Sequence, residues 1–328
     1  MTAPTQDVPA DQTGMATLSV IVCAYSHDRY ALLINGIDAL LQQMSGGDEL
    51  IVVIDYNEAL FADVATRYGH IATVTRNSFE RGLSGARNAG IEVARNEVLA
   101  FVDDDATVRP GWIEHLRRHY LDPSVAGVGG YATPVWPTRR PAWMPSEYDW
   151  VVGCSHRGLP TSVTQVRNFI GCNMSFRRTV FQQVGRFNTT VGRVGRRPVG
   201  CEETELCIRL SQHDPSARLL YDPAVQVDHS VSVDRVRLQY FLSRCFGEGL
   251  SKYRVSGIVG TSDALSSERR YVSRVLPIGV LTALRDMVFD RGARRAASAR
   301  GATILLGLVA TAAGYGYAMA RTIWDAET

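Results

Sequence analysis

The chain has 328 residues, 45 % of them hydrophobic and 21 % charged, a globular balance that can bury a sizeable core in one large or two small domains. Lys and Arg number 35 against 33 Asp and Glu, and a net charge of +2 removes any bulk electrostatic case for nucleic acid. Six cysteines (Cys23, Cys154, Cys172, Cys201, Cys207, Cys245) show no CxxC pair or metal-ligand spacing; with no secretory signal at the start, they read as reduced thiols of a cytoplasmic protein.

Met1 to Ala16 is polar, holds Pro4, Pro9 and Gly14, and reads as a disordered leader. Leu18 to Tyr25 is a continuous β-rich run, the pattern of a buried parallel strand. Tyr30 to Met44 has helical spacing in Leu32, Leu33, Ile37, Leu40 and Leu41, and Ser45-Gly46-Gly47 stops it. A strand over Glu49 to Ile54 ends at Asp55, followed by a helix near Ala59 to Tyr68 and a strand over Ile71 to Thr75. This β-α-β-α-β order means a parallel sheet with right-handed crossovers. In Gly82-Leu83-Ser84-Gly85-Ala86-Arg87-Asn88-Ala89-Gly90, two glycines precede a helix running to Ala94. A helix amino terminus with an arginine suits a diphosphate, although the same turn serves simple capping.

Val98 to Val102 is a short apolar run that ends abruptly in Asp103, Asp104 and Asp105. Three adjacent carboxylates repel one another and are buried only beside a cation or hydrogen-bond donors. At the carboxyl end of a sheet strand they stand where open α/β sheets bind ligands. Asp103 and Asp105 share a face if the strand continues, and that pair can hold a hard divalent ion. A solvated acidic turn is the plain alternative.

Pro110-Gly111-Trp112 starts a helix to Tyr120, and Val125 to Tyr131 reads as a strand. Residues 132–168 are expected to be irregular, with five prolines and Trp136, Trp143 and Trp150. So long a loop is usually a lid or binding segment, and its tryptophans fit either a ligand surface or a satellite core. Phe169 to Arg178 reads as a strand entering a helix, Thr179 to Val184, that stops at Gly185. The stretch 192–200 is arginine-rich and reads as flexible, and Glu202 then opens a helix with Glu203 and Glu205 in its first turn. Acids there stabilise the helix dipole without any further role. Leu219 to Tyr221 and Ala224 to Val227 read as two short strands leading to Asp228-His229.

With these pieces in order, the chain over roughly Leu18 to Tyr253 resembles a family-two inverting glycosyltransferase of the GT-A fold. Ser19-Val20-Ile21-Val22, Asp55, the run Gly82 to Gly90, Asp103-Asp104-Asp105, Gly171 to Arg177 and Glu202-Glu203-Thr204-Glu205-Leu206 carry the resemblance. It departs from the family pattern in two places: Asp55-Tyr56-Asn57 stands where D-G-S is common, and Glu203 where the usual base is Asp. The resemblance implies an α/β, Rossmann-like, mostly parallel sheet flanked by helices, and it assigns roles. Ala24, Tyr25, Asp55, Arg87, Asp103 and Asp104 would hold a nucleoside-diphosphate sugar; Asp105, Asp103 and His229 would bind Mn²⁺ or Mg²⁺. Gly171, Asn173, Glu202 and Arg209 would line the sugar and acceptor pocket, and Glu203 would be the catalytic base. His229, a lone histidine after a strand, is read equally well as structural.

Basic residues interleave with apolar ones over residues 231–253, an amphipathic helix that Gly247-Glu248-Gly249 is expected to interrupt. Val272 to Phe289 is mostly apolar but carries Arg274, Arg285 and Asp286, as an interfacial or packed helix does. Gly301 to Ala320 contains no charge, and about twenty such residues suffice to cross a hydrocarbon core, although its Gly- and Ala-rich composition also fits a buried hairpin helix packed on Val272 to Phe289. Arginines before it place the catalytic part on the cytoplasmic face of the membrane. The expected organisation is a leader (1–16), a GT-A domain (17–256) and a membrane-associated helical tail (257–328), acting on a lipid-linked or saccharide acceptor. Two other classes remain open from sequence: a nucleotidyltransferase, although Tyr25 to Arg29 has no glycine for a phosphate loop, and a non-catalytic sugar-nucleotide or glycan-binding module.

Overall fold

The structure is a computed structural model that describes residues 16–193 and 200–327, without the side chains of 324–327. The predicted leader, Ala16 apart, and most of the arginine-rich stretch lie outside the described residues. Ala16 itself is buried.

Strand β1 (Leu18–Ala24) is buried at every position, and its alternation feeds two cores. Leu18, Val20 and Val22 face one side of the sheet, Ile21 and Cys23 the other. Helix α1 (Tyr30–Leu41), β2 (Glu49–Ile54), α2 (Glu58–Tyr68) and β3 (Thr73–Arg76) follow, then α3 (Leu83–Val93) and β4 (Val98–Asp103). Strands β1 to β4 pair in parallel, as the β-α-β order requires. After β5 (Ala106–Val108) and α4 (Trp112–Tyr120) come β6 (Val125–Val135), β7 (Thr164–Gln165), β8 (Asn173–Arg177), α5 (Arg178–Val184), α6 (Glu202–His213) and β9 (Arg218–Ser230). The sheet runs β3-β2-β1-β4-β8-β6-β9-β5, with β7 on β9. Leu33 and Ile37 of α1, Leu60 of α2 and Trp112 of α4 fill the first core; Ala86 of α3, Phe181 of α5 and Leu206 of α6 fill the second. Each fully buried Leu or Ile side chain among these contributes about 1.5–3 kcal/mol. Gly90 lets α3 sit directly on β1: a Cβ there would lie 2.5 Å from Ile21 Cγ2.

The two short strands expected near residue 220 are one strand, β9, that absorbs Asp222-Pro223 as an irregularity in its register with β6. The segment 132–168 is more ordered than its prolines suggest. β6 extends to Val135, a 3₁₀ turn spans Ser146–Val152, and the three tryptophans pack on a third core with Tyr148, Phe241 and Ile304.

That third core joins the tail to the rest. Helix α7 (Leu238–Val259) runs unbroken through Gly247-Glu248-Gly249, contrary to expectation. Gly249 serves close approach instead: a Cβ there would clash with the Thr311 carbonyl, and one on Gly314, in the last helix, with that of Phe246. Two short helices, α8 (Thr261–Ala264) and α9 (Ser266–Arg270), and a π turn (Tyr271–Val275) lead to α10 (Leu276–Phe289) and α11 (Arg294–Glu327). Among the described residues, Arg294–Ile323 is the one helix long and apolar enough to cross a membrane, and only 22 % of its most apolar stretch is buried. Leu281, Val288 and Phe289 of α10, with Leu305 and Val309 of α11, face outward.

Candidate active site

Strand β4 ends at Asp103, and Asp104 and Asp105 form the turn into β5. Asp103 and Asp105 therefore meet through the turn rather than through a continued strand. A ligand atom from each lies within 4.8 Å of the other and of a His229 ring nitrogen, brought in by β9, where His229 pairs with Ala106. Two carboxylates and an imidazole are a donor set that suits Mn²⁺ or Mg²⁺.

Cations crowd the triplet. Arg29, on the turn after β1, reaches Asp104 Oδ1 at 2.7 Å and Asp105 Oδ2 at 3.1 Å. His229 Nε2 lies 3.2 Å from Asp105 Oδ1, and Arg235 Nη2 3.5 Å from Asp105 Oδ2. Burial alone would raise the Asp105 carboxyl, but His229 and the two arginines hold it well below the usual carboxylate range. Burial opposes charge on His229, yet Asp105 carries the imidazole up to about 10. Burial, only partly countered by Arg29, pushes Asp104 up to about 7, and its Oδ2 has no hydrogen-bond partner among the described residues.

The acids of α6 form the second half. Cys201, just before the helix, has a positive φ of 78°, a strained conformation for a side-chain-bearing residue that sets where Glu202 and Glu203 begin. Glu202 pairs with Arg87 at 2.8 Å, and Arg87 also reaches Asp103 at 3.2 Å and donates to the Gly171 carbonyl at 2.8 Å. Arg87 is thus engaged between the two acidic clusters rather than turned to a diphosphate, as its place near a helix start suggested. A side chain on Gly171 would intrude on it, since a Cβ would lie 3.1 Å from Arg87 Nη2 and 3.7 Å from Glu203 Oε2. Glu203 forms no ion pair among the described residues; the Thr204 hydroxyl donates to its Oε1 at 3.3 Å, and Asn168 donates to Thr204 at 3.1 Å. Burial, and then repulsion from Glu202, push Glu203 up to about 7.

One cavity of about 1160 Å³ is lined by Ala24, Tyr25, Asp55 and Arg87, by the whole aspartate triplet, and by Gly171, Glu202, Glu203 and His229. Asp55 is fixed there by the Asn77 amide at 2.7 Å and the Gly82 N–H at 3.1 Å. Tyr56 takes the positive φ, 52°, that a glycine would adopt freely, and Asn57 caps α2, so the Asp55-Tyr56-Asn57 variant keeps its turn. Two expected pocket residues fall outside the cavity. The Asn173 side chain is buried in the sheet, accepting from Trp112 Nε1 and donating to the Tyr131 and Val225 carbonyls. Arg209 pairs with Glu205 one helical turn away and donates to the Arg186 carbonyl. Glu205 stands at the i,i+4 spacing from Arg209 that the sequence itself displays, whereas the partners of Asn173 are 42 to 61 positions away in the chain.

Arg29, Arg235, Thr204 and Asn168 were not foreseen. Arg29 had a usable signal, because it follows the first strand at the ligand-binding end of the sheet. Arg235 reaches Asp105 from a 3₁₀ turn (Val233–Val236), a contact no spacing announces.

Residues 19–185 match the model of Glycosyl transferase family 2. A glucosyl-dolichyl phosphate glucuronosyltransferase of Haloferax volcanii is 35 % identical over 276 residues, 83 % of this chain and 87 % of that one. A pre-mycofactocin glycosyltransferase of Mycobacterium tuberculosis is 26 % identical over 52 % of this chain and 34 % of its own length. In structure, the chain is similar to a mannosyltransferase of Pyrobaculum calidifontis solved with GDP-Man and Mn²⁺, with a TM-score of 0.56 at 16 % identity over 94 % of this chain and 90 % of that one. It is also similar to GalNAc-T7 solved with UDP, GalNAc and Mn²⁺, with a TM-score of 0.53 at 14 % identity over 80 % of this chain and 57 % of that one. The fold is GT-A, and the chain belongs to glycosyl transferase family 2 and is a glycosyltransferase.

Proposed function

We propose that the protein is an inverting, metal-dependent transferase that moves a sugar from a nucleoside-diphosphate sugar to a lipid-linked or polysaccharide acceptor. The donor is read as a UDP-linked hexose or hexuronic acid and the acceptor group as a hydroxyl or phosphate, at the cytoplasmic face of a membrane. The observation that carries the reading is the place of Glu203: it has no ion pair among the described residues and faces the same cavity as Asp103, Asp105 and His229, with burial and Glu202 pushing its carboxyl up to about 7. A general base works best when its pKa lies near the operating pH. The relative from Haloferax volcanii, named for glucuronosyl transfer to glucosyl-dolichyl phosphate, supports a hexuronic acid donor and a lipid-linked acceptor.

Asp103, Asp105 and His229 would hold the Mn²⁺ or Mg²⁺, which supplies Lewis-acid neutralisation of charge on a leaving diphosphate. Asp55, fixed by Asn77 and Gly82, would orient the nucleotide. Glu203 accepts the proton of the attacking hydroxyl while that oxygen displaces the nucleotide from the opposite face, so the anomeric centre inverts in one step. Thr204 steadies Glu203 in its deprotonated form. The basic and apolar tail, with the outward apolar residues of α10 and α11, supports membrane association.

The test is to incubate purified full-length protein with a panel of UDP-sugars, Mn²⁺ or Mg²⁺, and a synthetic glucosyl isoprenyl phosphate. The product's anomeric configuration is then read by NMR. Transfer with inversion supports the reading; retention, or no turnover with any UDP-sugar in the panel, overturns it.

A further inference from the structure

Beyond the acids and the aspartate triplet, the cavity has a third part that the transfer chemistry above does not use. Tyr240, at the start of α7, sits among three arginines that come from three places in the chain. Arg193 donates to its hydroxyl at 3.3 Å. Among the described residues, no carboxylate lies within ion-pair distance of Arg193. Arg235 is 7 % exposed, donates to the Val152 carbonyl at 3.3 Å, and shares Asp105 with Arg29 and His229. Arg244 donates to Glu248 at 2.8 Å, and Glu248 is itself shared with Lys252 at 3.4 Å. Burial would raise the Tyr240 hydroxyl, yet Arg235, Arg193 and Arg244 together hold it below its ordinary value. Positive charge is in excess here, and all four side chains face the cavity.

The surroundings then turn apolar. The Arg244 guanidinium lies 5.5 Å from the centre of the Trp150 ring, and Trp150 Nε1 donates to the Tyr271 hydroxyl at 3.1 Å. The cavity wall from the π turn, α10 and α11 is made by Val275, Leu276, Leu308, Ala312 and Tyr315, with Thr311 the polar residue among those of α11. A cationic pocket continuous with an apolar wall matches an amphiphile with an anionic head.

We propose that this region is an acceptor subsite for an isoprenyl-type phosphate. Arg193, Arg244 and Tyr240 hold the phosphoryl oxygens, with Arg235 at its edge toward the metal-binding carboxylates. The hydrocarbon lies along the wall formed by the π turn, α10 and α11. The subsite deepens the transferase reading and rests on it for its purpose, but its binding chemistry stands on these residues alone. It also accounts for the tail lining the catalytic cavity instead of standing apart.

The experiment is calorimetry on full-length protein with farnesyl phosphate, farnesol and inorganic phosphate, each with and without saturating UDP and Mn²⁺. Farnesyl phosphate should bind alongside UDP, and charge-assisted hydrogen bonds should make it at least about tenfold tighter than farnesol. It should likewise bind tighter than inorganic phosphate, which has no chain for the apolar wall. Arg193→Gln should weaken farnesyl phosphate by about tenfold or more, since it loses a charged donor, and Arg193→Lys should recover part of that. Ala312→Trp should weaken farnesyl phosphate and leave inorganic phosphate and UDP unchanged. Displacement of farnesyl phosphate by UDP would assign the arginines to the donor diphosphate and overturn the proposal. Farnesol, or inorganic phosphate, binding as tightly as farnesyl phosphate would overturn it as well. If UDP with Mn²⁺ does not bind, the donor reading fails, and the titrations without UDP still decide the subsite.

Discussion

Arg87 and Glu202 stand 115 positions apart in the chain, yet their side chains meet at 2.8 Å with 2 % and 4 % of their surfaces exposed. Arg87 extends the contact to Asp103, so one guanidinium ties the α6 acids to the end of β4. Removing one partner of a buried pair leaves an uncompensated charge and destabilises by about 3–5 kcal/mol. Arg87→Met should lower the urea midpoint accordingly. Arg76→Met, which breaks an exposed pair with Glu58, should move it little.

Glu203→Gln keeps the side chain's size but cannot take a proton. Single-turnover transfer should fall by about 10²–10⁴-fold, the contribution of a general base, with donor affinity retained. In the wild type, transfer should rise with pH up to about 7, where Glu203 loses its proton, and level off above. A wild-type rate in Glu203→Gln would show that another group is the base.

The same carboxyl shapes stability. Its pKa in the folded state, about 7, lies above the ordinary 4.5, so between those values the folded chain holds a proton the unfolded chain has released. Stability from this group is therefore present at low pH and is lost as pH rises through the window. Asp104, also raised to about 7, acts in the same direction. Glu203→Gln should flatten the pH dependence of the melting temperature between about 4.5 and 7 and raise it at pH 8, measured by calorimetry.

Asp105 is the anion shared by Arg29, His229 and Arg235. Asp105→Asn should abolish Mn²⁺ binding, followed by electron paramagnetic resonance, and leave Arg29 and the buried His229 and Arg235 with less compensation. With its anionic partner gone, His229 should titrate lower than in the wild type, visible by NMR. Unchanged Mn²⁺ affinity would mean that the triplet is a structural turn.

The outward apolar residues of α10 and α11 give a test that leaves the cavity intact. Leu281→Glu with Phe289→Glu should reduce sedimentation with anionic lipid vesicles and preserve the melting temperature, because both side chains are exposed. Ending the chain at Ser256 is a poorer test. It removes the last turn of α7 and uncovers the glycine face that α11 seals.

What the sequence made legible follows from local physics. The strand-length apolar runs, the glycine-bounded helices and the position of the acids at element ends are local properties, and the structure keeps them. Asp103, Asp105 and His229 come together as expected, although a turn, not a strand, aligns the two aspartates. What failed were side-chain destinations. Arg209 and Asn173 are polar residues near the site whose partners, Glu205 and Trp112, draw them away from it. Gly247-Glu248-Gly249 misled because glycine in a helix signals a break from sequence alone, whereas here a neighbouring backbone occupies the space.

The reciprocal contact of Gly249 and Gly314 has a mechanical meaning. Two backbones seated in each other's grooves leave no slack for a hinge between α7 and α11, and α7 carries Tyr240 and Arg244 at the cavity wall. A hydrocarbon surface that takes up α10 and α11 therefore takes up the catalytic cleft with them as one rigid piece. On the proposed membrane-bound reading, the height of Glu203 above that surface would then be set by helix packing rather than by the length of a tether.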